Sequence, residues 1–152
     1  MSKVRKVKVG QLELEALGEI EINGENYIVV KVPSPQEFRG FPPSWEWVRT
    51  RMLTWRPFFK GKMVEVEGRL VPVVDKFVLY MDPEMYELLY EIYETFKVNK
   101  PSIETNVSVV VTKIIEKIEA DIGRTLTEEE KSDMYIHYAV MLAILRDVGM
   151  LN

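Results

Sequence analysis

Apolar and charged residues alternate through the start of the chain. Val4, Val7 and Val9 sit among Lys3, Arg5, Lys6 and Lys8, and Leu12, Leu14 and Leu17 follow with Glu13 and Glu15 between them. A period near two marks a half-buried strand, so residues 1–17 read as one or two short strands. Ile20, Ile22 and the run Tyr27 to Val32 flank Asn23-Gly24, a dipeptide that accepts the positive φ of a tight turn, which predicts a β-hairpin over 19–32. The strand pattern returns over 63–67 and 70–80, with a bend near Gly68-Arg69 and with Pro72 marking an edge or bulge. The expectation is an antiparallel sheet of about four strands filling residues 1–81.

From Asp82 the period changes to that of a helix. Asp82 as N-cap and Pro83 as first helical residue open an amphipathic segment to Lys97, with Met85, Leu88, Leu89, Ile92 and Phe96 on one face. A second helix is expected from Ser102 or Thr105 to Ile122, burying Val107, Val110, Ile114 and Ile118, with Gly123 just past its end. Thr127 and Glu130 have the spacing of a capping box for a third, which carries Tyr135, Tyr138, Met141, Leu142 and Leu145 and ends at Gly149. Strands first and helices over 82–150, without a repeat or linker, predict a single α+β domain spanning 1–152.

Between sheet halves lies a segment of different chemistry. Residues 38–62, FRGFPPSWEWVRTRMLTWRPFFKGK, hold all three tryptophans. Six basic residues against Glu46 give the segment a formal charge of +5, so that, with −4 for the whole chain, the rest carries −9. Aromatic rings stack unpaired bases, and guanidinium and ammonium groups neutralise phosphates. The candidate contact residues are therefore Arg39, Phe41, Trp45, Trp47, Arg49, Arg51, Trp55, Arg56, Phe58, Phe59, Lys60 and Lys62. Prolines 33, 35, 42 and 43 keep the chain irregular until Ser44, which caps a short expected helix to Trp55 before Pro57. On that helix Trp45, Val48, Met52 and Trp55 share a core-facing arc of about 80°, while Trp47 and Arg51 fall on the opposite, polar side. Three readings fit: a loop stapled down by aromatics, a single-strand binding surface, or a protein interface anchored by Trp and Arg.

Composition removes other chemistries. Without cysteine there is no disulfide, thiolate nucleophile or Cys-ligated metal. His137 stands alone, which leaves no zinc or triad site, and reads as a partly buried, hydrogen-bonded residue. Glu128, Glu129 and Glu130 occupy a helix's first turn, where the macrodipole favours acids. Tyr86, Tyr90 and Tyr93 form a helical stripe that reads as packing or as a second stacking platform. The N-terminal lysines either extend a phosphate track or guard a sheet edge. No phosphate-binding glycine loop, nucleophile elbow or metal-ligand motif occurs, so no catalysis, metal or cofactor is expected. No apolar run approaches the roughly 18–20 residues needed to cross a bilayer, and the N-terminus lacks an apolar signal, so a cytoplasmic protein is expected. The Glu- and Lys-rich surface leans toward a thermophile's.

An N-terminal antiparallel sheet, the interposed PPSWEWVRTRMLTWRPFFKGK and a helical layer behind it, in a Cys-free chain, resemble the ThermoDBP family and its relatives over most of residues 1–150. These are single-stranded DNA-binding proteins of hyperthermophilic archaea that do not use the OB-fold. The resemblance implies a cleft taking single-stranded DNA, or RNA, with little sequence preference. Its apolar floor would be formed by Trp45, Trp47, Trp55, Phe58 and Phe59 and its basic rim by Arg39, Arg49, Arg51, Arg56, Lys60 and Lys62. It also implies a homo-oligomer, with the Tyr/Met/Leu-rich last helix as interface, since no heptads follow that helix to form the leucine zipper of the archetypal member.

This reading predicts that Trp47→Ala weakens binding to a single-stranded oligonucleotide while leaving the melting temperature unchanged, and that Trp45→Ala and Trp55→Ala also lower the melting temperature. Arg51→Ala should flatten the slope of log affinity against log salt by up to about one phosphate's worth; equal melting losses for all three tryptophans would reject the face assignment.

Overall fold

The computed structural model describes residues 5–37, 54–98 and 106–152. Six strands precede three helices: β1 Lys6–Val9, β2 Leu12–Ile22, β3 Glu25–Lys31, a 3-10 turn at Pro35–Glu37, β4 Lys62–Val66, β5 Arg69–Val74, β6 Phe77–Tyr80, then α1 Pro83–Val98, α2 Val107–Ile122 and α3 Glu128–Asp147. The expected hairpin forms where Asn23 and Gly24 take φ of 50° and 82°, and β4 turns into β5 in the same way through Glu67 and Gly68 at 49° and 79°. Two successive positive φ values give the turn whose twist matches that of paired strands.

The sheet differs from expectation in two respects. It has six strands, in the order β1-β2-β3-β6-β5-β4, and it is mixed, because β3 and β6 run parallel with Ile28 opposite Phe77 and Lys31 opposite Tyr80. Parallel neighbours need a long crossover, which residues 32–76 supply. The extra strands arise where turn residues hide inside apolar runs. Asp75, at φ 51°, splits 70–80 into β5 and β6, and Gly10 divides β1 from β2. β2 serves both sides: Leu12–Glu15 pair with β1, and from Ala16 to Ile22 it pairs with β3, across a bulge at Leu17.

Both sheet faces are apolar in the middle. One face, with Leu14, Val30, Val74, Phe77 and Leu79, shares the main core with all three helices; the other gathers Ile22, Val73 and Val78, with Tyr27, Val29, Val64, Val66 and Val71 packed around them. This is why β5 and β6 read as near-continuous apolar runs. α1 buries Met85, Leu89, Ile92 and Phe96, at helical spacing. α2 starts later than expected, since Asn106, with extended φ and ψ, accepts a bond from the Val109 N–H and makes Val107 the first helical residue; it ends as expected with Gly123 in the left-handed region. In α3 every residue from Tyr138 to Leu145 is buried, so this helix is the centre of the core. Tyr138, Met141, Leu142 and Leu145 of the expected oligomer interface are thus buried within the chain, while Tyr135 is half-buried. Gly10 lies so close to the end of α3 that a Cβ would overlap the Asp147 and Val148 backbone, and the neighbouring Gln11 N–H donates to the Asp147 carbonyl at 2.6 Å. The whole is one α+β domain. Among the described residues no helix is long and apolar enough to cross a membrane.

The start of α3 is tied down by charge as well as by its cap. Thr127 Oγ1 accepts from the Glu130 N–H, the Glu130 carboxylate accepts from the Thr127 N–H, and Arg124 donates to both carboxylate oxygens at 3.1 and 2.9 Å. The Arg124 bonds first, then the Thr127 backbone bond, hold the Glu130 carboxyl at about 2 against an ordinary 4.5. A depressed carboxyl stabilises the fold fully above its unfolded value, and that contribution disappears as pH falls through the folded one. Melting temperatures measured from pH 5 to pH 2 should therefore show a loss between 4.5 and about 2 that is smaller in Glu130→Gln; identical acid limbs would show that the cap carries no charge-dependent stability.

Candidate nucleic-acid interface

Residues 54–61 have no regular structure of their own, yet their backbone groups are not left to solvent. Buried or shielded peptide groups need partners, and here residues 148–152 provide them. The Lys60 and Gly61 N–H groups both donate to the Met150 carbonyl, at 2.8 and 3.0 Å, Phe59 bridges Leu151, and the Asn152 N–H donates to the Phe58 carbonyl at 3.1 Å. The Asn152 side chain completes the clasp. Its Oδ1 accepts from the Trp55 Nε1–H at 3.2 Å and the Phe58 N–H at 2.9 Å, and its Nδ2 donates to the Arg56 carbonyl at 3.0 Å. At the other end the Trp55 carbonyl accepts from the Val107 N–H at 3.2 Å, so the strip also meets the start of α2. Gly61 permits the approach, since a Cβ there would come within 2.5 Å of Met150 Sδ and 2.8 Å of the Val73 carbonyl oxygen.

On this fixed backbone the side chains divide into anchors and exposed groups. Trp55 is half-buried against the main core, and the Arg146 guanidinium lies over its ring with Cζ 4.9 Å from the centroid. Phe59 is half-buried and meets Tyr93 and Phe96 edge-to-face, at centroid distances of 5.7 and 5.1 Å. Phe58 points the other way and is 53% exposed. Arg56, Lys60 and Lys62 are exposed beside it, and Lys97, at the end of α1, places its ammonium 5.9 Å from the Tyr93 ring centroid. Among the described residues no carboxylate pairs with Arg56, Lys60, Lys62 or Lys97. Between strip and helix lies a cavity of about 300 Å³, bounded by Phe59, Gly61, Met63, Tyr93, Phe96 and Lys97.

Of the twelve candidate residues, Trp55, Arg56, Phe58, Phe59, Lys60 and Lys62 lie together on this strip. Arg39, Phe41, Trp45, Trp47, Arg49 and Arg51 lie outside the described residues, as does the expected helix up to residue 53; Thr54 is a turn residue and Trp55 is not helical. The tyrosine stripe on α1 divides. The Tyr86 hydroxyl donates to the Leu79 carbonyl at 3.1 Å and accepts from the Met81 N–H at 3.2 Å, and Tyr90 donates to the Leu70 carbonyl at 2.6 Å. Both thus satisfy strand ends, and only Tyr93 reaches the strip. β1 is an edge strand on which Lys6 stands opposite Glu15 and Lys8 opposite Glu13, so its lysines face acids across the ladder. His137 is half-buried, with Nδ1 2.8 Å from the Asp133 carbonyl oxygen.

Sequence reasoning missed Asn152, Arg146, Phe96 and Lys97. Only the last two left a trace, as an aromatic-basic pair at the end of an amphipathic helix one turn beyond Tyr93. No protein-family model, curated protein or solved structure matches this chain.

Because one side chain holds three groups of the strip, Asn152→Ala should cost about 1–2 kcal/mol of stability, the low end of the range for unmade bonds since water reaches the strip. It should also shift Trp55 emission to the red. Asn152→Asp, which keeps both accepted bonds, should lose less; equal melting temperatures for wild type and Asn152→Ala would show that the clasp is not needed.

Proposed function

We propose that this protein binds single-stranded nucleic acid, DNA or RNA, without catalysis and with little sequence preference. The observation that carries the reading is the strip itself: an exposed phenylalanine on a fixed backbone, beside three exposed cations with no acidic partner among the described residues, in a chain whose net charge is −4. An exposed aromatic without a packing role offers a face to a base, and unpaired cations beside it offer sites for successive phosphates. The acidic remainder of the surface repels a polyanion and confines it to the strip. Trp55 and Phe59 hold the platform from beneath, while Phe58 makes contact.

The reading extends to kinship with the ThermoDBP proteins, to a scaffold other than the OB-fold, to residence in the cytoplasm and to a homo-oligomer. Among the described residues the strand order is open and ends in two edges, β1 and β4, which supports a scaffold other than a closed barrel. An oligomer would have to use a surface other than the buried half of α3.

Tryptophan fluorescence titrated with a mixed-sequence single strand, and separately with its duplex, at two salt concentrations tests the proposal. The expected result is quenching by the single strand that weakens with salt, and little response to duplex. Replacing Arg56, Lys60 and Lys62 together by Gln should flatten the salt slope by up to about 2, at roughly 0.7 per phosphate on single strands. No response to either nucleic acid would reject the proposal and favour the Trp/Phe/Arg surface as an anchor for a protein partner.

A further inference from the structure

The cavity beside the strip is unlike the strip's outer surface. Its walls are aromatic and apolar, Phe59, Met63, Tyr93 and Phe96, its floor is the backbone at Gly61, and among the described residues the one charged group bounding it is Lys97. The Phe59 ring stands at 88° to Tyr93 and 84° to Phe96, so the walls form a corner rather than a flat platform. At about 300 Å³ it lies at the small end of ligand pockets, room for one ring system and not for a stack. Lys97 stands on its helix side, and Lys60 and Lys62 flank the lining Gly61 along the chain.

We propose that this cavity receives one nucleobase of the bound strand, turned out of the stack that Phe58 supports, with a phosphate beside that nucleotide held by Lys97. The proposal rests on the single-strand reading given above and adds a discrete anchor to it. Charge decides the occupant. An apolar peptide side chain would fill the corner equally well but would leave the Lys97 ammonium without an anion, whereas a nucleotide brings a phosphate beside its ring. Tyr93 brings the one side-chain hydroxyl among the described lining residues, and because that hydroxyl can either donate or accept it suits any base edge, so the anchor contributes affinity rather than sequence preference.

The Met63 methyl group is a reporter inside the cavity. In the intact protein with methyl-labelled methionine, titration with an oligothymidylate should move the Met63 signal upfield through the ring current of the inserted base. Met63→Phe, which keeps a strand-forming residue and fills the cavity, should weaken oligonucleotide binding by about 5- to 150-fold, the value of one stacked base. Tyr93→Leu, which removes a wall, serves as the second variant if Met63→Phe melts early. Binding with an unmoved Met63 signal, and with full affinity in a variant that melts normally, would overturn the anchor and leave the single-strand reading standing. No binding at all would overturn both. A Met63 shift produced by N-acetyltryptophanamide but not by the oligonucleotide would assign the cavity to a protein side chain and overturn the anchor as well.

Discussion

The candidate interface depends on a borrowed strand. Residues 54–61 carry one proline, Pro57, a run of aromatics and no regular structure of their own, and such a segment would ordinarily move with its side chains. Here the backbone of residues 148–152 lies alongside it and takes up its N–H and carbonyl groups, and the Asn152 amide uses its oxygen twice and its nitrogen once on the same strip. Gly61 and Gly10 allow the two close approaches that bring sheet and helix end together. Rigidity matters for a binding surface because ordering a loop on contact would subtract from the affinity.

Beneath the strip the helical layer supplies both support and chemistry. The last turns of α1 present Tyr93, Phe96 and Lys97 toward it, while the earlier tyrosines of the same helix close off the ends of β5 and β6. One helix therefore separates a structural half from a half that faces the cavity, and the division falls between Tyr90 and Tyr93. Arg146 performs both tasks at once, covering the Trp55 ring while lying 3.6 Å from the Asp147 carboxylate.

Features governed by neighbours in the chain were legible. Asn23-Gly24 turns, Asp82-Pro83 opens a helix, Thr127 and Glu130 form their box and Gly123 closes α2, each because the bond or dihedral involved spans four residues or fewer. Asp75 was not legible as a turn, since valines and a phenylalanine on either side made the run look continuous. The parallel pairing of β3 with β6 was hidden because nothing local encodes which distant strand lies alongside. The grouping of Trp55 to Lys62 could be read from charge and aromatic content, but Asn152 looked like any polar residue, for its role exists only once a segment 97 residues away is beside it.

That separation has a consequence for how the protein is made. The Trp55–Lys62 strip leaves the ribosome well before the residues that clasp it, and at synthesis rates of about 5–20 residues per second the 97-residue interval lasts roughly 5–20 s. Through that time Trp55, Phe58 and Phe59 belong to a nascent chain in which all six strands are made well before α3 and the clasping residues. A short, aromatic and positively charged stretch is thus without its clasp until Met150 to Asn152 arrive, and over that interval its like charges oppose contact with other copies of itself.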